Sequence, residues 1–252
     1  MAIMYTTICV DCSNAMQGAG ISKVNMIVKA FMTAVLKTPK LRDSTEYRFV
    51  RCSNTPVNDF QPESSLTFKN INPPVSVQTN ITDIQLDTKT TRKLHYPVFG
   101  TGDSARDLCE TVRHAHKSLD DKIKSAQESG TAVYTGLLLV IADGGKGSAT
   151  TTANEKNLID TLKKYSRGSE ANERHIIPIL IDLHKVSTNT ALKRLAEGFP
   201  NGYIHIGLLC PEANTFQNSF ENILRVVNMS LTKANRRQQT LDAVASQLKK
   251  LK

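Results

Sequence analysis

The feature that most constrains the fold of this chain is a regular alternation of short apolar segments with longer amphipathic ones. The apolar segments carry many β-branched, aromatic or Leu residues, as buried strands do. They cover Tyr5–Val10, Tyr47–Cys52, Thr131–Ala142, His175–Leu183 and Tyr203–Leu209. The amphipathic segments repeat apolar residues at helical spacing, as in Leu108, Val112, Ala115 and Leu119. Strands that alternate with helices predict right-handed βαβ units. The sequence therefore predicts an α/β fold, a doubly wound and mostly parallel sheet with helices on both faces.

Residues 53–99 interrupt this alternation. They contain five prolines and many Ser, Thr and Asn residues. Their two alternating apolar stretches, Leu66–Phe68 and Val75–Val77, are typical of short edge strands. We interpret residues 53–99 as an elaborated edge of the same sheet, or an insertion in it, rather than as a separate domain. The predicted organisation is one domain over residues 1–232, followed by a basic amphipathic helix over residues 233–252.

The charge of the chain favours anionic partners. Lys and Arg number 32 against 23 Asp and Glu, which gives a formal net charge of +9. Residues 233–252 carry six basic side chains and one acidic one. The C-terminal helix therefore either exposes a solvated basic face or docks on an acidic surface. Aromatic residues are not interleaved with these charges, and so the pattern does not favour nucleic-acid binding.

The sequence predicts a cytoplasmic protein without a membrane span. Five cysteines, an odd and widely scattered number, do not suit the disulfide framework of a secreted domain. The N-terminus runs directly into the first apolar strand and lacks the charged region of a signal peptide. No stretch reaches the ~18 consecutive apolar residues that indicate a membrane helix.

Oxygen-bearing side chains stand at the ends of two predicted strands and before a long helix. Asp11 and Ser13 follow the first strand, Thr101 precedes the long helix, and Asp143 follows the strand after that helix. In a doubly wound sheet, ligands collect at the carboxyl ends of the strands, where the strand order reverses. If the order is 3-2-1-4-5-6, the strands that end at Asp11 and Asp143 are neighbours. Carboxylate and hydroxyl oxygens suit Mg²⁺, and the sequence therefore predicts a divalent-cation site formed by these four residues.

This ordered set resembles the metal-ion-dependent adhesion site (MIDAS) of von Willebrand factor A (VWA) domains. That site combines Asp-x-Ser-x-Ser with a distant Thr and a distant Asp that is usually followed by Gly. Here the run Asp11-Cys12-Ser13-Asn14-Ala15 carries the first element, Gly100-Thr101 the second and Asp143-Gly144 the third. The chain departs from the pattern at Ala15, where the family has its second Ser and a methyl group cannot coordinate. The resemblance spans about residues 5–232 and is nearest to compact intracellular bacterial VWA proteins, such as those of tellurite-resistance operons.

The resemblance implies a Rossmann-like sheet with one antiparallel edge strand. It also implies a non-enzymatic protein-interaction module, whose partner supplies an acidic side chain that completes the shell of a Mg²⁺, Mn²⁺ or Ca²⁺ ion. Two alternatives stay open. One is a degenerate VWA scaffold that needs no metal within an intracellular complex, because Ala15 removes a ligand. The other is a Mg-dependent phosphoryl hydrolase with Asp11 as nucleophile, although Ser13 stands where that chemistry usually has a second acid.

Cysteine and histidine spacings give no competing site. Cys9 and Cys12 form a Cys-x-x-Cys pattern, but redox pairs of this kind lie at a helix N-terminus, whereas Cys9 falls inside the first predicted strand. Cys9 is therefore predicted to be a core residue. His114 and His116 lie two positions apart on a predicted helix, point to different faces, and are predicted to be solvated or half-buried.

Overall fold

The computed structural model describes residues 3–38, 44–52, 66–70, 81–87, 90–97, 108–133, 135–145, 152–167, 176–185, 190–207, 211–230 and 237–251. The strands are β1 (Met4–Asp11), β2 (Thr45–Cys52), β3 (Leu66–Asn70), β4 (Ile81–Asp87), β5 (Thr90–Pro97), β6 (Gly136–Ala142), β7 (Ile176–Asp182) and β8 (Tyr203–His205). The helices are α1 (Ala19–Lys37), α2 (Leu108–Glu128), α3 (Ala153–Arg167), α4 (Ala191–Leu195), α5 (Ala213–Ser230) and α6 (Arg237–Lys249). Short 3-10 helices cover Asn14–Met16, Ala196–Gly198 and Pro200–Gly202.

One large sheet has the strand order β3-β2-β1-β6-β7-β8. The strands β2, β1, β6, β7 and β8 are parallel to one another, and β3 pairs antiparallel with β2 at one edge. Counted within this sheet, the order is 3-2-1-4-5-6, the order under which the strands ending at Asp11 and before Asp143 are neighbours, and it reverses between β1 and β6. The predicted doubly wound, Rossmann-like α/β fold is therefore confirmed. Strands β4 and β5 form a separate two-stranded antiparallel sheet.

Both faces of the large sheet are covered. Every residue of β1, β6 and β7 is buried, which explains why apolar residues predominate on both faces of these strands. On one face, side chains such as Ile8 and Leu139 belong to a core cluster that includes residues of α1, α5 and α6. On the other face, side chains such as Cys9 and Val140 belong to a cluster with residues of α2, α3 and α4.

Helix α1 is a core helix of this fold. Its side chains at Val24, Ile27, Val28 and Phe31 are buried in the first core cluster, and the Phe31 ring meets the Phe220 ring edge to face, with 5.3 Å between centroids. Among the described helices, α1 is the one long and apolar enough to cross a membrane by length and composition. A buried core helix meets the same two criteria, and so the expected lack of a membrane span stays a prediction.

Two predicted strands are shorter in the structure than in the sequence pattern. The predicted start at Thr131 is wrong, because the Thr131 amide donates to the Ala126 carbonyl (2.9 Å) and so ends α2 instead of joining the sheet. The last strand ends at His205, and the chain then turns at Gly207, whose φ is 62°. The predicted strand residues Val75–Val77, His175 and Leu209 lie outside the described residues.

Helix α6 packs on the body of the domain. Its apolar residues Leu241, Val244 and Leu248, together with Leu251, are buried in the first core cluster. The side chain of Asn222 on α5 also donates to Gln247 (3.3 Å). Lys249 and Lys250 are exposed. The apolar side of this predicted amphipathic helix is therefore covered by the domain itself, and contact of its basic side with an acidic surface stays a prediction.

Candidate functional site

The carboxyl ends of β1, β6 and β7 form one edge of the sheet, which we call the rim (Asp11–Asn14, Asp143–Gly145 and Asp182–Lys185). At the first of these ends, Asp11 is the last residue of β1 and is completely buried. Its Oδ1 accepts a hydrogen bond from the Ser13 amide (2.9 Å). This turn directs the chain into the 3-10 helix at Asn14–Met16, and Ser13 is 2% exposed.

Asp143 lies at the same rim, on the neighbouring strand. Val10 of β1 is paired with Ile141 of β6, and parallel neighbours lie about 4.8 Å apart, so the chain leaves both strands side by side. The Asp143 side chain is 20% exposed. Its Oδ1 accepts a hydrogen bond from the Gly145 amide (3.0 Å) and lies 2.5 Å from His184 Nδ1. The structure therefore places Asp11, Ser13 and Asp143 at the same rim, while Thr101 lies outside the described residues.

The candidate ligands provide the type of atom that a hard cation binds. Asp11, Ser13 and Asp143 offer carboxylate and hydroxyl oxygens, which Mg²⁺ and Ca²⁺ prefer over nitrogen and sulfur. The number of ligand oxygens is too small, because Mg²⁺ requires about six oxygens and Ala15 is an exposed methyl group in the 3-10 helix. Within the described ranges, no group of three or more His, Cys, Asp or Glu residues could hold a metal ion. Thr101 and water would have to supply the remaining ligands.

A third aspartate, missed by the sequence analysis, organises the rim. Asp182 ends β7, beside Ala142 of β6, and is completely buried. Its Oδ1 accepts hydrogen bonds from the amides of Gly144 (3.0 Å) and His184 (2.9 Å). Its Oδ2 accepts hydrogen bonds from the hydroxyls of Thr190 (2.6 Å) and Tyr203 (3.0 Å). The signal that could have found it is position, since Asp182, like Asp11 and Asp143, follows a run of buried apolar strand residues.

The environment of Asp182 extends to β8. Burial raises the pKa of Tyr203, and the Asp182 charge and its hydrogen bond with the phenol add to that increase. Tyr203 therefore stays a neutral donor at physiological pH. His205, two residues further on, has its Nε2 2.8 Å from the His184 carbonyl. The last strand of the sheet thus contacts both Asp182 and the backbone of His184.

Gly144 is required by close packing at the rim. A Cβ atom at this position would lie 2.6 Å from Thr190 Cβ and 2.7–2.8 Å from the two Asp182 carboxylate oxygens. The Gly144 carbonyl also accepts a hydrogen bond from the Ala191 amide (3.0 Å) at the start of α4. We therefore expect Gly144→Ala to lower the free energy of unfolding by about 1–3 kcal/mol, the usual cost of overpacking, measured by urea denaturation.

Gly20→Ala is the matched control for this change. A Cβ atom at Gly20 would meet the Met16 side chain at 3.4 Å, which is ordinary contact. Alanine also favours the helix over glycine by up to about 1 kcal/mol, so this variant should be as stable as the wild type or more so. Equal stability of Gly144→Ala and the wild type would contradict the packing described here.

A buried ion pair connects α3 and α4, the two helices that follow loops of the rim. Arg194 of α4 donates from Nη2 to Glu155 Oε1 of α3 (2.8 Å), and from Nε to Oε2 (3.4 Å). Both side chains are 7% exposed. Glu155 also forms a capping box with Thr152: its carboxylate accepts a hydrogen bond from the Thr152 amide (3.1 Å), and its amide donates to the Thr152 hydroxyl (3.1 Å). The first turn of α3 is thus tied to α4.

The cysteine and histidine pairs noted in the sequence do not form sites. Cys9 and Cys12 are buried, carry no disulfide, and belong to the core clusters on opposite faces of the sheet, so they are not a redox pair. His116 is 3% exposed, and burial lowers its pKa to about 4. The expectation that His116 is solvated or half-buried is therefore wrong, because it lies on the inner side of α2.

Comparisons with known proteins find similarity to solved structures alone. No protein-family model matches the chain. No curated protein matches it. Among solved structures, it is similar to the pilus adhesin SpaC from Lactobacillus rhamnosus GG in the open conformation, at 12% identity and a TM-score of 0.49. The similarity covers 92% of this chain and 30% of the adhesin chain, so this chain spans less than a third of that protein.

It is also similar to the VWA domain of SpRpn10, at 11% identity and a TM-score of 0.43, over 86% of this chain and 95% of that one. At these identities and TM-scores, neither similarity supports an inference about function. The sheet itself, with its 3-2-1-4-5-6 order and helices on both faces, has the doubly wound, Rossmann-like arrangement that the resemblance to VWA domains implies. The finer resemblance to proteins of tellurite-resistance operons stays a prediction.

Proposed function

We propose that this chain is a non-enzymatic protein-interaction module that binds its partner at the rim. A divalent cation held by Asp11, Ser13, Thr101 and Asp143 would contribute to that contact. The observation that supports the proposal is the reversal of strand order between β1 and β6. This reversal delivers Asp11, Ser13 and Asp143 to one edge, which is where doubly wound sheets bind their ligands.

The residues at this edge would have unequal roles. Asp11 is buried and its Oδ1 holds the turn to Ser13, so it suits an indirect role through a coordinated water. Ser13 and Asp143 suit direct coordination by a hydroxyl and a carboxylate. A site with few direct carboxylates leaves positive charge on the ion, which an acidic partner side chain can then neutralise. Because Ala15 adds no oxygen, we expect water in its place and a weak affinity for Mg²⁺.

Positive charge around the rim supports an acidic partner. Lys185 follows His184 at the end of β7 and is exposed. On the β8 side, Lys23 of α1 donates from Nζ to the Gly207 carbonyl (3.2 Å), which places a second ammonium group near the end of β8. The chain as a whole carries a net charge of +9. These charges favour the approach of an anionic surface, and the effect weakens as salt is raised.

The contact between Asp143 and His184 supports a second candidate function, a VWA-like scaffold that binds its partner at the same rim without metal. His184 Nδ1 lies within hydrogen-bond distance of Asp143 Oδ1. This carboxylate oxygen therefore has a polar partner without an ion. The hydrolase alternative finds less support. Its nucleophile would be Asp11, which is buried and closes its own turn.

A magnesium titration followed by NMR distinguishes these candidates. With the ¹⁵N-labelled full chain, the cation proposal predicts saturable shifts at the amides of Ser13, Gly144, Gly145 and His184. The amide of Ser129, in the turn that ends α2, is the internal control and should not move. Rim amides that stay fixed up to several millimolar Mg²⁺ would reject the cation and favour the metal-free scaffold.

A further inference from the structure

Asp182 binds the backbone beside Asp143 and at His184, the two residues whose side chains meet at the rim. Its Oδ1 accepts the amides of Gly144 (3.0 Å) and His184 (2.9 Å). These amides adjoin the contact between Asp143 and His184, whose side chains are 2.5 Å apart. One carboxylate oxygen therefore fixes the backbone on both sides of that contact.

The other oxygen of Asp182 extends this link into the body of the domain. Oδ2 accepts hydrogen bonds from Thr190 (2.6 Å) and Tyr203 (3.0 Å). Thr190 is the N-cap of α4, where its hydroxyl accepts a hydrogen bond from the Lys193 amide (3.0 Å), and Tyr203 begins β8. The four donors are two backbone amides of the rim and two neutral hydroxyls outside it, so the carboxylate joins the rim to α4 and β8. The close approach of Gly144 to Asp182 leaves this backbone no room for a side chain.

We propose that Asp182 is the positioning residue of the rim: its hydrogen bonds hold Asp143 and His184 in contact with each other, and so set the affinity of the rim for its ligand. The proposal rests on the proposed function for the cation, since the ligand is taken to be a divalent ion at Asp143. The geometric part of this inference is independent of the cation, because the structure shows the contact between Asp143 and His184 without any ion. Hydrogen-bonded residues behind a metal ligand commonly change metal affinity by about 10–100-fold when they are removed.

Two substitutions at Asp182 distinguish a role of its hydrogen bonds from a role of its negative charge. Asp182→Asn keeps the shape of the side chain. Its amide oxygen can accept from Gly144 and His184, and its NH₂ group can donate to the hydroxyls of Thr190 and Tyr203. Asp182→Ala removes all four hydrogen bonds. A positioning role predicts that Asn is close to the wild type and that Ala is not, whereas a role through negative charge alone predicts that both variants lose affinity equally.

The test uses the full chain and two readouts, with Mn²⁺ as the probe. The first is the ¹⁵N signal of the His184 ring, recorded without any cation. We expect it to shift in Asp182→Ala, where the contact with Asp143 is lost, and to stay near its wild-type position in Asp182→Asn. The second is the Mn²⁺ affinity, which should fall about 10–100-fold in Asp182→Ala and change less than about threefold in Asp182→Asn. If Asp182→Ala does not fold, Tyr203→Phe replaces it, and removal of that one donor should shift the ring signal by a smaller amount.

The two readouts keep this inference separate from the proposed function. If the wild type binds no Mn²⁺, the cation proposal fails, and the His184 ring signal still decides whether Asp182 positions the rim. If the ring signal of Asp182→Ala, or of Tyr203→Phe in its place, equals that of the wild type, the inference is overturned. Equal losses of Mn²⁺ affinity in Asp182→Asn and Asp182→Ala would also overturn it, since they would assign the effect to charge.

Discussion

Replacing Asp143 with alanine is expected to abolish Mn²⁺ or Mg²⁺ binding at the rim, and partner binding with it, while the fold stays intact. Asp143 is the candidate ligand with the most accessible carboxylate, 20% exposed at the end of β6. Its loss removes one direct ligand from a set that already lacks an oxygen at Ala15, so we expect an affinity too low to measure. The stability cost should stay near 1 kcal/mol, the value of an ordinary hydrogen bond, because the contacts that are lost, among them those with Gly145 and His184, belong to a partly exposed side chain. Isothermal titration calorimetry and thermal denaturation measure the two effects.

Asp121→Ala is the matched control, because it removes an exposed carboxylate from α2 and should change neither binding nor stability. EDTA provides the complementary control on the wild type. If a partner binds equally well with and without EDTA, the cation-dependent form of the proposal is wrong and the metal-free scaffold is favoured. If Asp143→Ala then also leaves partner binding unchanged, the rim is not the binding face in either form.

Breaking the buried ion pair is expected to have the largest effect on stability. Arg194→Met leaves the carboxylate of Glu155 buried without its guanidinium partner, since both side chains are 7% exposed. Removal of one partner from a buried pair typically costs about 3–5 kcal/mol. Urea denaturation followed by circular dichroism should therefore show a large decrease in the free energy of unfolding, with an unchanged slope if the transition stays two-state.

Two further variants test the physical reason for that loss. The double variant with Glu155→Gln and Arg194→Met removes both charges, while the glutamine can keep the capping box with Thr152, so most of the lost stability should return. Arg113→Met breaks an exposed pair with Glu110, in which the arginine side chain is 46% exposed, and should cost no more than about 1 kcal/mol. A similar loss in Arg113→Met and Arg194→Met would show that burial is not the cause.

The sequence pattern was sufficient to predict the sheet. Strands β1, β6 and β7 are buried at every position, and such strands must be apolar on both faces, which is visible in the sequence. Alternation with helices then requires parallel strands with right-handed connections. The boundaries were less predictable, because they depend on local hydrogen bonds. The Thr131 amide, for example, bonds to the Ala126 carbonyl of α2 and not to a strand.

The site was predictable where its residues directly follow predicted strands. The spacing of Asp11, Ser13 and Asp143 at strand ends placed all three at one rim, as the structure does. The network around Asp182 was not predicted, because its donors include Thr190 and Tyr203. Only the folded sheet and α4 bring these groups together. The contact of Asp143 with His184 joins two strand ends in the same way and is equally invisible in the sequence.

One local signal for the start of a helix is visible in the sequence. Thr152 and Glu155 have the Ser/Thr-x-x-Glu spacing of a capping box, and the structure shows both of its hydrogen bonds. That spacing indicates the start of α3. It does not indicate that Glu155 is buried against Arg194, because the arginine lies 39 residues further along the chain.

The most direct test of the cation site is a crystal structure of the full chain grown with Mn²⁺, with diffraction data that record the anomalous signal of manganese. The proposed function predicts one anomalous peak at the rim between Ser13 and Asp143, with water or an acidic side chain of a neighbouring molecule in the open coordination position. The contrary result is a rim without anomalous density at millimolar Mn²⁺, in which His184 still contacts Asp143. That result would reject the cation and leave the metal-free scaffold.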